Sequence, residues 1–392
     1  MRLTPRDEDD VADAIRAAIA QDAPLSIEGH GSKAALGRAT KRERILSLAA
    51  LAGVTLYEPQ ELVLTARAGT PLRDIVALLD AQGQQLAFEP LDHALLLGGA
   101  RDDATIGGVI AVNASGPRRI KAGAARDHLL GFRCVTGRGE IVKSGGRVMK
   151  NVTGYDLSKL VTGSYGTLAA LTETTLKVLP KAETEETLLL RGLGEEKGLA
   201  ALRKASGSPY EVSSFAYDPR EDMAALRLEG PEISVVTRRD ELTAFLGCFG
   251  AATDFLRDAE SRAFWTRLRD AEPVAEGEGV IWRVSLAPTD GFAFVERLRR
   301  AGAPVLAYFY DWAGGLVWLR LATMADAHAP AIRAIVDTLG GHATLIRADA
   351  EIRTRVDVFH PQPSALAALT RRVKEAFDPR FILERGRLRA EF

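Results

Sequence analysis

Thr105-Ile106-Gly107-Gly108-Val109-Ile110-Ala111-Val112-Asn113-Ala114-Ser115-Gly116 opens the stretch that decides the fold. Beyond a hairpin the chain reaches Lys150-Asn151-Val152-Thr153-Gly154-Tyr155-Asp156. It then runs through Gly163-Ser164-Tyr165-Gly166-Thr167-Leu168-Ala169 into a β-rich segment ending at Pro180. Glycine lacks Cβ, so it permits positive φ and lets main-chain N–H groups come close to a ligand. Any one of these glycine pairs fits a tight turn in a loop-rich core. Three clusters between Ala104 and Pro180, set among apolar positions, point instead to backbone shaped around a bound ligand.

Towards the N-terminus, Val11, Ala14, Ile15, Ala18 and Ile19 recur at helical spacing between Asp7 and Gln21, with acidic residues where the helix dipole favours them. Pro24 ends that helix, Leu25-Ser26-Ile27 reads as a strand, and Glu28-Gly29-His30-Gly31-Ser32-Lys33 follows as a polar turn. Its N–H groups, the Ser32 hydroxyl and the Lys33 charge could cradle a pyrophosphate. It matches neither the Rossmann nor the Walker spacing, and by itself it reads as an ordinary turn. Glu61–Ala66 reads as extended, Thr70 as the N-cap of a helix running to Gly83, and Leu86-Ala87-Phe88 as a strand. Phe132–Val135 and Glu140–Lys143 form a hairpin about Gly137-Arg138-Gly139.

The chain has 392 residues, more than one hydrophobic core usually holds, and about two or three domains are expected. Its 51 basic and 52 acidic residues leave no positive excess for a phosphate backbone, so nucleic acid is not an expected partner. Cys134 and Cys248 lie far apart, without the spacing of a disulfide framework, an iron–sulfur cluster or a structural zinc. No apolar run approaches the ~18 residues of a membrane span, and the first ten residues are polar. A cytoplasmic enzyme is the expectation.

After Lys181–Thr187, read as a charged connector, the composition changes. From Gly279 the pattern is strand (280–286), helix (291–300), two strands (304–310 and 316–321), helix (325–339), strand (343–346). That βαββαβ order is the ferredoxin-like unit. A weaker copy precedes it: strand 188–190, helix 195–204, strands 212–217 and 223–228, helix 238–246. A second domain with one large antiparallel sheet is expected, followed by a tail helix carrying Leu366, Leu369, Val373 and Phe377 that stops at Asp378-Pro379.

Thr105-Ile106-Gly107-Gly108 with Asn113 and Gly116, Thr153-Gly154-Tyr155-Asp156-Leu157, and Gly163 through Leu168 resemble the FAD-binding domain of the p-cresol methylhydroxylase and vanillyl-alcohol oxidase family. Within it the chain is most similar to the FAD-binding E subunits of bacterial glycolate oxidases, on Ser32-Lys33, Phe264-Trp265 and its 392-residue length. The resemblance implies an α+β fold. A two-subdomain FAD-binding domain of the vanillyl-alcohol oxidase type spans 1–180 and is completed by 360–392. A cap domain spans 181–359, its large antiparallel sheet built from ferredoxin-like units. The implied activity is FAD-dependent oxidation of glycolate to glyoxylate, with electrons passing through FAD to a second FAD subunit and an iron–sulfur subunit. The substrate class is a small 2-hydroxy acid, and the implied location is cytoplasmic, or peripheral at the inner membrane through those partners.

By the same resemblance Gly29, His30, Gly31, Ser32 and Lys33 hold the FAD pyrophosphate. Pro90, Leu91, Thr105, Gly107, Gly108, Asn113, Ser115 and Gly116 line the isoalloxazine and diphosphate. Asp127, Gly163, Gly166, Thr167 and Leu168 flank the rest. Some relatives attach FAD covalently through a histidine where this chain has Ser32, with His30 two residues earlier, so noncovalent FAD is expected. Hydroxy-acid dehydrogenase relatives carry a His-x-Gly-Asp-Gly-Asn-x-His strand where this chain reads Asp311-Trp312-Ala313-Gly314-Gly315-Leu316-Val317-Trp318. Without those histidines no metal is expected. The late Asn-Pro-Gly of relatives is replaced by Glu384-Arg385-Gly386. No catalytic residue is assigned: a self-sufficient dehydrogenase would use Lys150, Tyr155, His128 or His360 as base or anchor, each of them more often a surface or core residue than a catalyst. A self-sufficient 2-hydroxy acid dehydrogenase and a flavin-free structural subunit are the alternatives, and the intact glycines argue against the latter.

Overall fold

The computed structural model describes residues 1–147 and 154–392. They form two compact units, one of 1–115, 123–180 and 361–392, the other of 116–122 and 181–360.

In the first unit the helix Glu8–Ala20 starts where Asp7 accepts the Asp10 N–H at 2.8 Å, and it buries Val11, Ala12, Ile15 and Ala18. It packs in a core with Leu25, Leu46, Ile382 and Leu383. Beside it lies a small parallel sheet of Arg2–Leu3, Ile45–Ser47 and Ser26–Glu28. A second, five-stranded antiparallel sheet runs in the order Val54–Glu58, Val63–Arg67, Ala169–Lys177, Leu129–Thr136, Ile141–Gly145. Two local expectations shift. Thr70 is buried and donates to the Arg67 carbonyl at 2.6 Å, so Pro71 takes the cap position of the helix Leu72–Asp80. The short strand is Gln84–Gln85, paired with Leu179–Pro180, and not Leu86–Phe88.

In the second unit eight strands form one antiparallel sheet. Their order is Ala252–Arg257, Thr184–Arg191, Met223–Gly230, Ser214–Asp218, Val305–Asp311, Leu316–Leu321, Val280–Ser285, His342–Arg347. Two βαββαβ units lie side by side, joined where Ala216 and Tyr217 pair with Asp311 and Tyr310. Because side chains alternate along a strand, one face carries Leu188, Leu226, Phe215, Tyr310, Val317, Trp282 and Leu345, which form the core with the flanking helices.

The closing strand of the first repeat, Ala252–Arg257, was not legible because it is an exposed edge without apolar alternation. The supposed connector is also different. Residues Thr184–Arg191 form a strand whose Glu185 and Glu186 are buried. Glu185 meets Arg118 at 3.2 Å, and Glu186 meets Arg239 at 2.9 Å. Paired charge enters a sheet that unpaired charge would leave.

The tail helix Ser364–Phe377 is held by one buried pair. Lys374 donates to Asp378 at 2.6 Å and to the carbonyls of Thr167 and Leu383 at 2.7 and 2.9 Å. Asp378 accepts the N–H groups of Ile382 and Leu383 at 3.0 and 2.8 Å. Burial pushes the Lys374 ammonium below its ordinary value, with Asp378 opposing. Removing one partner of such a pair leaves the other charge buried and alone, at a cost of about 3–5 kcal/mol. Asp378→Ala should therefore lower the denaturant midpoint of the first unit strongly, read by urea unfolding, whereas Asp254→Ala on the exposed edge strand should not.

Candidate functional site

A cleft in the first unit holds about 710 Å³ of empty space counted out to its open mouth. Residues 27–34, Thr105, Gly107, Gly108, Ala111, Val112, Ser164–Gly166 and Arg387 line it, with Ala68, Ala169 and Leu171 as apolar wall. The turn after the strand Ser26–Glu28 forms its polar side. Gly31 takes φ +88°, which a residue with Cβ adopts only with strain. Among the described residues, the N–H groups of Gly29, His30, Gly31, Ser32 and Lys33 donate to no protein acceptor. Gly29 lies so close to Thr105 that a Cβ there would meet its hydroxyl at 2.3 Å.

Lys33 supplies the charge. It is only 7% exposed, and burial pushes its ammonium down to about 8, with Asp92 and Asp103 opposing. Arg387 fixes the turn from behind: its guanidinium donates to the carbonyls of Lys33 at 2.8 Å and Leu36 at 3.2 Å, and to Glu384 at 2.8 Å. Glu384 also accepts the Ile27 N–H at 2.7 Å. Burial raises its carboxyl above the ordinary value, against the pull of Arg387.

Across the cleft, Thr105 caps the short helix Ile106–Val112 by accepting the Gly108 N–H at 3.4 Å. The Gly163–Gly166 turn docks on that helix, Gly163 N–H to Ile110 and Tyr165 N–H to Ala111. Undonated N–H groups, a buried ammonium and an apolar wall together suit a ligand that is anionic at one part and flat and apolar at another.

Residues 1–145 match a family model described as an FAD binding domain. The chain is 34% identical over 382 residues to glycolate oxidase subunit GlcE of Escherichia coli, covering 96% of each chain. The chain belongs to the FAD-binding glycolate oxidase E-subunit family. A shorter match, 30% identical over 48% of this chain and 38% of the other, is to glycolate oxidase subunit GlcD of Bacillus subtilis. A solved structure of alkyldihydroxyacetonephosphate synthase shares the fold, with TM-score 0.69 at 18% identity over 97% of this chain and 76% of that one. FAD is accordingly the cofactor, and the chain is an FAD-dependent oxidoreductase.

Of the residues expected to hold the flavin in this E-subunit chain, Gly29, His30, Gly31, Ser32, Lys33, Thr105, Gly107, Gly108 and Gly166 line the cleft. The others lie outside that lining. Pro90 and Leu91 are buried. Asn113 ends the helix at φ +54° and accepts the Arg126 N–H at 3.2 Å, Ser115 accepts the Ala125 N–H at 3.0 Å, and Asp127 accepts the Ala124 N–H at 2.9 Å. Gly163 makes the docking turn, Thr167 donates to the Ser164 carbonyl at 2.7 Å, and Leu168 is buried. Gly116 belongs to the segment 116–122 of the second unit. His30 sits 3.0 Å from Asp103.

The candidate bases have different surroundings. His128 is buried against Phe88, His360 meets Asp337 at 3.0 Å in the second unit, and Tyr155 is 93% exposed. Lys150 and Thr153 lie outside the described residues. Among the described residues no three His, Cys, Asp or Glu side chains gather as a metal site requires. Glu384 enters the sequence analysis only as a departure from the relatives' Asn-Pro-Gly, and nothing local marks Arg387, whose side chain arrives from more than 350 positions away.

Gly107 and Gly108 have different tasks. A Cβ on Gly107 would lie 2.6 Å from the Ala68 Cβ and 2.8 Å from its carbonyl, so Gly107 serves the packing of helix on strand. A Cβ on Gly108 would face Thr105 at 3.3 Å and the Lys33 side chain at 3.8 Å. Overpacking costs about 1–3 kcal/mol. Gly107→Val should lower the melting temperature of the apoprotein, while Gly108→Val should leave it near wild type and lose flavin, read by calorimetry and bound absorbance.

Proposed function

We propose that this chain is the flavin-carrying E subunit of a complex that oxidises glycolate to glyoxylate. Electrons pass through its FAD to partner subunits, a second FAD subunit and an iron–sulfur subunit. What supports the reading above all is the end-to-end similarity to an E subunit together with a cleft whose donors suit a diphosphate. The N–H groups of Gly29–Lys33 and the Lys33 ammonium would hold the diphosphate, and Gly108 would admit it close to the backbone. Arg387 would keep the turn in place. Ala68, Ala169 and Leu171 would exclude water from the flat ring system. When bound, FAD supplies the acceptor for the two electrons leaving the substrate carbon.

The flavin is held without a covalent bond, since Ser32 stands at the attachment position. No helix among the described residues is long and apolar enough to cross a membrane, and attachment at the inner membrane would run through partners. Asp311–Trp318 offers no imidazole, which favours chemistry completed in the complex. Dye-linked glycolate oxidation tests this: the isolated FAD-loaded chain should turn over far more slowly than the reconstituted complex. Equal rates would mean a self-sufficient dehydrogenase.

Lys33 makes flavin binding depend on pH. In the free site its ammonium titrates at about 8, and a bound diphosphate raises that value. Affinity is therefore full below about 8 and falls about tenfold per pH unit above it, until the bound-state value is reached. Fluorescence titration of the apoprotein with FAD between pH 7 and 10 should show that slope, and Lys33→Met should bind weakly at all pH values without it.

A further inference from the structure

Phe264 and Trp265 are neighbours with different tasks. Trp265 is buried, and its indole donates to Thr187 at 2.8 Å. Ser261, one turn earlier, hydrogen-bonds Thr187 at 2.7 Å and donates to Glu185 at 2.6 Å. These contacts lay the helix Asp258–Arg269 over one end of the strand Thr184–Arg191, on the sheet face opposite its core. Phe264 stands edge-on to Trp265, ring centroids 5.4 Å apart, and with the other end of that strand it lines a cavity of about 440 Å³ in the second unit. That volume is within the range of small-molecule sites.

The floor of the cavity is apolar and its rim is charged. Side chains two apart on a strand share a face, so Leu189 and Arg191 lie on one side, together with Met223, which pairs with Arg191 in register. Leu189, Met223 and Leu268 are buried, and Leu256 and Phe264 are half-buried. Two guanidiniums of the rim are already engaged, Arg220 with Asp218 at 2.8 Å and Arg267 with Glu272 at 2.8 Å. The charge of Glu221 also acts on Arg220. Arg191, half-buried, and Glu260, exposed on the helix, differ: among the described residues neither side chain has an ion pair or hydrogen bond, with each other or with any other group.

The walls are set before any ligand arrives. In the turn between the strands Ser214–Asp218 and Met223–Gly230, Asp218 accepts the Arg220 N–H at 3.0 Å. Asp222 accepts the Tyr217 hydroxyl at 2.7 Å and the Gly194 N–H at 2.9 Å. On the opposite wall, Ser261 and Trp265 tie the helix to the sheet. A preformed cavity binds without first ordering its own side chains and loops.

We propose that this cavity binds an α-amino acid with a large apolar side chain, its carboxylate on Arg191 and its ammonium on Glu260. A guanidinium presents a flat fork of donors that matches a carboxylate, and a carboxylate accepts hydrogen bonds from an ammonium. A ligand with the carboxylate alone leaves Glu260 unanswered, and one with the ammonium alone leaves Arg191 so. Exposed ion pairs contribute little, so most of the affinity comes from burying the apolar side chain against Leu189, Met223 and Phe264. The volume of the cavity favours an aromatic side chain over a methyl group. The site stands apart from the flavin cleft and does not rest on the function proposed above.

The test is isothermal titration calorimetry on the full-length FAD-loaded protein with L-phenylalanine, phenylpropionate, phenethylamine and L-alanine. L-Phenylalanine should bind. Phenethylamine, which lacks the carboxylate for half-buried Arg191, should bind about tenfold more weakly. Phenylpropionate, which lacks the ammonium for exposed Glu260, should lose about threefold, and L-alanine should give no measurable binding. Arg191→Gln should weaken L-phenylalanine about tenfold and abolish its advantage over phenethylamine, and Glu260→Gln should do the same, by about threefold, against phenylpropionate. Circular dichroism and bound-flavin absorbance show that each variant is folded. If Arg191→Gln, within a strand, fails to fold, Glu260→Gln, on the exposed side of a helix, carries the comparison. No binding of L-phenylalanine, binding unchanged in the folded variants, or binding of phenylpropionate and phenethylamine as tight as that of L-phenylalanine would each overturn the site.

Discussion

The buried pair Lys374–Asp378 is the contact on which the first unit depends. It turns the end of the tail helix so that Ile382 and Leu383 run beside Leu25, whose N–H donates to the Ile382 carbonyl at 2.8 Å. That alignment brings Glu384 to the Ile27 N–H and Arg387 to the Lys33 carbonyl. The turn from Gly29 to Lys33 can then leave its N–H groups facing the cleft, because its rigidity comes from the tail behind it. Gly137 belongs to the same arrangement: a Cβ there would meet the Asp378 side chain at 2.3 Å.

The same economy of charge shapes the second unit. Its sheet has an apolar face built on strict alternation and an opposite face where Glu185, Glu229, Arg227 and Arg118 satisfy one another. Trp265 lies under Arg227 at 4.7 Å and donates to Thr187 at 2.8 Å, so the indole shields the pair and closes the hydrogen-bond network. Such a network is costly to break and adds little stability over an apolar core. Here its effect is positional, since it anchors the segment 116–122 through Arg118.

Much of this was legible beforehand. The helix 8–20, the 129–145 hairpin and the second βαββαβ repeat follow from apolar periodicity and turn chemistry, which are local. The charge of residues 181–187 predicts a connector, yet a strand begins at Thr184, because its glutamates find partners at Arg118 and Arg239, far away in sequence. The edge strand Ala252–Arg257 gave no signal because an exposed edge needs no apolar alternation. For the cleft, glycine density points to Gly107, Gly108 and Gly166, and the family resemblance adds Gly29 and Gly31; all five line it. Neither could separate the others from Gly107, whose missing Cβ makes room for Ala68.

By itself the sequence determined the second ferredoxin-like repeat, the helix 8–20 and the 129–145 hairpin, because each rests on residues within a few positions of one another. Only the tertiary structure decided that Lys33 is buried and held by Arg387, that Glu384 caps Ile27, and that Arg191 and Glu260 line one cavity. A side chain's charge state and its partners depend on what surrounds it in space, and those neighbours come from segments whose spacing along the chain carries no periodic signature.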